Sequence, residues 1–111
     1  MSGEKRKYRR IKDATISLMV KSGDIDIITK SLDISASGIY CKVQKEIPVM
    51  SRLKIMLILP GGSKIETDGV VVREHPVIEG GRITHYDVAI FFDNVSARDR
   101  EAILAYTKKA P

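Results

Sequence analysis

The chain has one cysteine, Cys41, and no tryptophan among its 111 residues. A single thiol excludes an internal disulfide framework, the usual staple of small secreted domains. Aromatic residues make up only 5% of the chain, which disfavours a single-strand nucleic-acid groove, where successive bases stack on aromatic side chains. No apolar run approaches the ~20 residues of a membrane-spanning helix. No apolar segment follows Met1-Ser2-Gly3-Glu4, so no secretory signal is expected. The two histidines, His75 and His85, are far from Cys41 in sequence, which leaves a zinc ion without a ligand set. Nucleophile-elbow and phosphate-loop motifs are both missing, so no catalytic residue is expected. Together these absences predict a cytoplasmic, non-catalytic protein with no metal, no cofactor and no membrane partner.

What is present is enough apolar matter for one folded unit. Hydrophobic residues account for 43% of the chain, above the range of disordered sequences, and the length suits a single domain. Charge is concentrated at one end. Lys5, Arg6, Lys7, Arg9, Arg10 and Lys12 stand against Glu4 alone, and this cluster carries the whole net charge of +5. The remaining residues balance, 13 basic against 13 acidic. A nucleic-acid binder ordinarily spreads basic groups along a face that follows the phosphate backbone. A local cluster on a neutral body fits capture of a small anion better. With only Tyr8 and Ile11 as apolar anchors, residues 1–12 are expected to form a flexible basic arm ahead of a folded unit spanning 13–111.

Period-two alternation runs through the body. In residues 13–21, Ala14, Ile16, Leu18 and Val20 alternate with polar neighbours and predict a half-buried strand. Strand patterns follow at 25–32, 37–43, 52–59, 65–74 and 84–92. Pro60-Gly61-Gly62-Ser63 predicts a hairpin turn, and residues 75–83, with Pro76 and Gly80-Gly81, a longer loop. The period then changes. Ser96 followed three residues later by Asp99 reads as a helix cap, and Ala102, Ile103 and Tyr106 form an apolar stripe on a helix over 97–108. Six short strands and a terminal helix suit a closed antiparallel barrel, since closure removes exposed strand edges. Periodicity alone leaves a sandwich equally open. Cys41 shares a face with Ile39 and Val43 and is expected to be buried as a small hydrophobe.

Two short patterns carry chemistry. Asp33-Ile34-Ser35-Ala36-Ser37-Gly38 connects two strand-like runs. Asp and Ser side chains can fold back on nearby amides and stiffen a turn, while Gly38 can take a positive φ or let a ligand approach the bare backbone. Upstream, Arg6 and Arg10 are spaced RxxxR. An RxxxR arm followed by DxSxxG, in a short chain of strands ending in a helix, resembles the PilZ family. That resemblance covers essentially the whole chain. It implies an all-β fold, a six-stranded antiparallel barrel with a C-terminal helix, and it implies cyclic di-GMP as ligand in a bacterial second-messenger pathway. Carried over residue by residue, it implies ligand contacts from Arg6, Arg10, Asp33, Ser35 and Gly38, with Arg73 as a further family position.

The residue chemistry suits that ligand. Arginine offers a planar fork to phosphate and to guanine O6 and N7, and it stacks on bases. Asp33 can accept from the guanine N1–H and N2–H₂ edge. Lys5 stands where the family often has another Arg, so it retains attraction to phosphate without the bidentate fork. This leaves one or two ligand molecules per chain open. Ligand binding is expected to order the arm and to signal to an unidentified protein partner in motility, adhesion or secretion; a homodimer stays open. The alternatives are a small barrel for single-stranded nucleic acid and a degenerate PilZ scaffold that binds only protein.

Overall fold

The computed structural model describes residues 16–23 and 25–109. Among these, six strands form a closed antiparallel barrel: β1 (Ser17–Ser22), β2 (Ile25–Ser35), β3 (Gly38–Val43), β4 (Arg52–Ile58), β5 (Lys64–Glu79) and β6 (Arg82–Asp93). They close in the order β1-β2-β3-β6-β5-β4, and α1 (Ala97–Lys109) follows. The barrel and terminal helix expected from the sequence are both present. Period-two alternation gives the strands one apolar face each, and the closed wall turns these faces inward onto a common core.

Directly opposed residues in a sheet share a face, so the register shows which side chains meet inside. Ile34 lies opposite Ile39, Ile39 opposite Ile90, and Ile90 opposite Val71. All four are buried and make one continuous belt of branched side chains across four strands. Burying each such side chain contributes roughly 1.5–3 kcal/mol. The exposed pairs Arg52–Asp93 (2.8 Å) and Lys54–Asp68 (2.7 Å) contribute ~0–1 kcal/mol each, so the belt and its neighbours dominate stability. Helix α1 seals the core through Ile103, which is fully buried. Its start is capped as the sequence predicts: Asp99 N–H donates to Ser96 Oγ at 3.1 Å.

Three expectations need correction. The connection at 75–83 is not a loop. β5 runs on through Pro76 to Glu79, and the β5–β6 ladder continues to the pair Glu79–Arg82. Gly80 and Gly81, with φ of 59° and 80°, make the two-residue turn with positive φ at both positions that strand twist favours. Pro76 is tolerated because β5 pairs with β4 only as far as Val70, so beyond that point a missing N–H costs no second ladder. His75 and His85 therefore sit in the paired strands of a long hairpin. The second correction is that β2 continues through Asp33 to Ser35, so the motif is a strand end and a tight turn, not a separate loop. The third concerns Gly38: its φ is not positive. A Cβ there would run into the Ile90 carbonyl oxygen of β6, so close strand approach is what requires glycine.

Candidate functional site

Two β-bulges place the motif residues. In the β2–β3 ladder the register passes from Ser31–Cys41 to Asp33–Tyr40, leaving Leu32 as an extra residue. In the β5–β6 ladder it passes from Val71–Ile90 to Arg73–Ala89, leaving Val72 as the extra. Each bulge resets the alternation of its strand. Beside β5, Val71 stays inside while Arg73, two residues on, turns outward. Beside β2, Ser31 and Ile34 both face inward while Asp33 faces out.

The outcome is two parallel rows on the outer wall. Asp33, Tyr40, Ala89 and Arg73 lie opposite one another across β2, β3, β6 and β5. One pleat away lie Ser35, Gly38, Phe91 and Val70. Between the rows runs an open groove of about 450 Å³, whose lining includes Asp33, Gly38, Tyr40, Arg73 and Phe91. The structure thus brings Asp33, Gly38 and Arg73 together, with a carboxylate at one end of a row and a guanidinium at the other.

Ser35 is placed differently from the others. It belongs to the outward row yet is 1% exposed. Its Oγ lies 3.0 Å from Ser37 Oγ and accepts the Ser37 N–H at 3.3 Å. Ser35 therefore braces the Ala36-Ser37 turn that carries Asp33 and Gly38. Pairing with β6 continues into that turn, where Phe92 N–H donates to the Ser37 carbonyl at 2.9 Å. Arg6 and Arg10, with the rest of the 1–12 arm, lie outside the described residues.

Tyr40 is the groove residue that motif reading passes over. Its phenol is raised above its ordinary value of 10.0, first by partial burial and then by the Asp87 carboxylate; Arg73 pulls the other way, and Asp33 adds a smaller rise. The phenol is therefore a neutral donor and acceptor at physiological pH. Its exposure on alternation from Ile39 and Cys41 was the available signal. Further along the hairpin, His85 Nε2 stands 3.4 Å from Asp87 Oδ1 and His85 Nδ1 3.1 Å from Thr84 Oγ1. Among the described residues no group of three His, Cys, Asp or Glu side chains is placed to hold a metal ion. No helix among them is long and apolar enough to cross a membrane.

A six-stranded closed barrel with a terminal helix, and an outer-wall groove edged by a turn reading DxSxxG, defines a class of small β-barrel modules. The model of the PilZ domain matches residues 4–109, and the chain belongs to the PilZ domain family. The match takes in both Arg6…Arg10 and the Asp33–Gly38 turn. No curated protein matches the chain by sequence. Among solved structures, the Bacillus subtilis inhibitor of motility MotI/DgrA is similar, with a TM-score of 0.84 and 22% identity over 96% of this chain and 51% of that one. The complex of K. pneumonia MrkH with c-di-GMP gives 0.74 and 16%, over 90% and 49%. The PilZ domain of YcgR from Escherichia coli with c-di-GMP gives 0.69 and 18%, over 96% and 94%. At these identities the likeness concerns the fold. The chain spans about half the length of MotI and of MrkH.

Proposed function

We propose that the protein is a non-catalytic receptor for cyclic di-GMP. The observation that carries this reading is the convergence of Asp33, Gly38 and Arg73 on one groove in a PilZ domain that also has Arg6 and Arg10 in RxxxR spacing. Two of the similar folds are complexes with that dinucleotide. In this reading Arg6 and Arg10 grip the phosphates and guanine O6/N7 by bidentate pairing. Asp33 accepts from the guanine N1–H and N2–H₂ edge. Ser35 enters through the turn it braces, and Arg73 closes the groove on the β5 side. The ligand lies between the arm and the barrel wall, so binding orders residues 1–12 and creates a surface for a downstream protein partner.

Calorimetric titration with cyclic di-GMP, using GTP and a short oligonucleotide as controls, tests the assignment. Saturable binding of cyclic di-GMP alone is expected. Binding of the oligonucleotide instead would replace this reading with a nucleic-acid barrel, and binding of none of the three would leave a protein-only scaffold. In the same titration Arg10→Ala should weaken cyclic di-GMP by roughly ten- to hundred-fold, about 1–3 kcal/mol for a lost bidentate contact. Unchanged affinity in that variant would remove Arg10 from the site.

The ordering of the arm has its own measurement. By amide hydrogen exchange, residues 5–12 should gain protection when cyclic di-GMP is added, while residues 55–59, within and just beyond β4, stay protected in both states. Equal protection of 5–12 with and without ligand would mean a preformed site.

A further inference from the structure

The groove has a wall that neither motif supplies. Tyr40 and Phe91 lie on the same outer face of adjacent strands, β3 and β6. They are diagonal neighbours, since Tyr40 is opposite Ala89 and Phe91 is opposite Gly38. The other two corners of this square are therefore a glycine and an alanine. Diagonal positions of an antiparallel pair are ~7–8 Å apart. A planar ring held between two others needs about twice the ~3.5 Å contact distance of carbon atoms, which matches. Gly38 and Ala89 leave the floor of this slot low. Phe91 is 50% exposed, an unusual state for a ring with no polar atom, and Val72, the bulge residue at 53% exposure, adds apolar surface on the β5 side. The polar groups stand at the two ends of the Tyr40 row: Asp33 on β2 and Arg73 on β5.

We infer that Tyr40 and Phe91 form a stacking slot for one guanine base, with Gly38 and Ala89 as its floor. This inference rests on the cyclic di-GMP reading above and adds to it the two residues that bind the base by its faces. Asp33 stands beside Tyr40 on the neighbouring strand β2 and supplies the carboxylate that accepts from N1–H and N2–H₂ of a base held there. The purine adenine lacks both donors at those positions, so the slot selects guanine. Phe91 also has a purely structural use open to it, covering Gly38 on the neighbouring strand, and the test must separate the two.

The chain has no tryptophan, so a Phe91→Trp variant carries one fluorophore in the wall of the slot. Its emission should be quenched as cyclic di-GMP is added, saturating at the concentration that calorimetry gives for the same variant. Phe91→Ala and Tyr40→Ala should each weaken binding about tenfold, the scale of one lost base–aromatic stack, with the melting midpoint of Phe91→Ala close to wild type because the ring is half in solvent. If wild type binds and both alanine variants bind equally well, the slot is wrong and the receptor reading stands. If wild type does not bind cyclic di-GMP, both fall together. Should Phe91→Ala lose its fold, the fluorescence of Phe91→Trp decides: unchanged emission at saturating ligand overturns the slot.

Discussion

Disulfide exchange at Cys41 should be at least about a thousandfold slower in the folded protein than in the denatured chain at pH 8. Cys41 is fully buried on the inner face of β3, between Ile39 and Val43. Burial, with a further push from the Asp87 carboxylate, raises its thiol from 9.0 to about 12. The thiolate is the nucleophile, and below pH 9 a rise of this size lowers its population about a thousandfold. Steric closure of the barrel slows the reaction further. The same shift links stability to pH. The folded state holds the thiol neutral, so its contribution is fully present below the unfolded value near 9 and is lost as pH rises toward 12, by about 4 kcal/mol in all. Timed reaction with a chromogenic disulfide, with and without denaturant, gives the ratio directly, because the chain has no other thiol. Comparable rates in the two states would place Cys41 outside the core and overturn the inward face assigned to β3.

How far the sequence reveals this molecule differs between the barrel and its outer wall. Alternation in residues 37–43, 52–59 and 84–92 shows which side chains face inward, and the structure buries Ile39, Cys41, Leu53, Ile55, Val88 and Ile90 accordingly. The Ser96 cap and the Ile103 stripe are equally legible, because both depend on residues three or four apart along one helix. The 75–83 segment misleads for a local reason. Proline and paired glycines mark a loop in general, but two glycines with positive φ also make the tightest hairpin turn. Only the partner strand shows which applies.

The groove depends on information that no single segment contains. Strict alternation from buried Val71 would put Arg73 inside the barrel and Val72 outside. The bulge at Val72 instead pairs Arg73 with Ala89, and the bulge at Leu32 pairs Asp33 with Tyr40. Both shifts arise where neighbouring ladders must agree on register, so they appear only once four strands are in place. The DxSxxG and RxxxR patterns name residues for the site without locating it. Tyr40, Ala89 and Phe91 come from the register, and the sequence marks Phe91 only as the outward member of an apolar pair with Phe92.

Gly38→Ala should lower stability by about 3 kcal/mol in the absence of any ligand. Glycine in a binding motif invites the explanation that a ligand must approach its backbone. Here the nearer obstacle is the protein. A Cβ on Gly38 would collide with the Ile90 carbonyl oxygen and come within 3.4 Å of Phe91 Cα. These are backbone atoms of a paired strand, with no rotamer to escape into. Relief requires β3 and β6 to part, which loosens the ladder that extends from Ser37 to Val43 and the Ile34–Ile39–Ile90–Val71 belt beneath it. Overpacking of this kind costs ~1–3 kcal/mol where side chains can adjust, so the upper end applies. For a domain near 100 residues such a loss lowers the melting midpoint by more than about 10 °C. Gly69→Ala is the comparison. Its Cβ would meet the Ile55 Cδ1 and Ile90 Cγ2 methyls, with backbone, the Phe91 carbonyl oxygen, reached only at 3.4 Å; side chains can shift where a paired backbone cannot, so its midpoint should fall by less. Calorimetric melting of both variants without ligand makes the measurement. A Gly38→Ala protein as stable as wild type but weakened toward cyclic di-GMP would return the glycine to the ligand; an early melt in ligand-free buffer assigns it to the contact between β3 and β6.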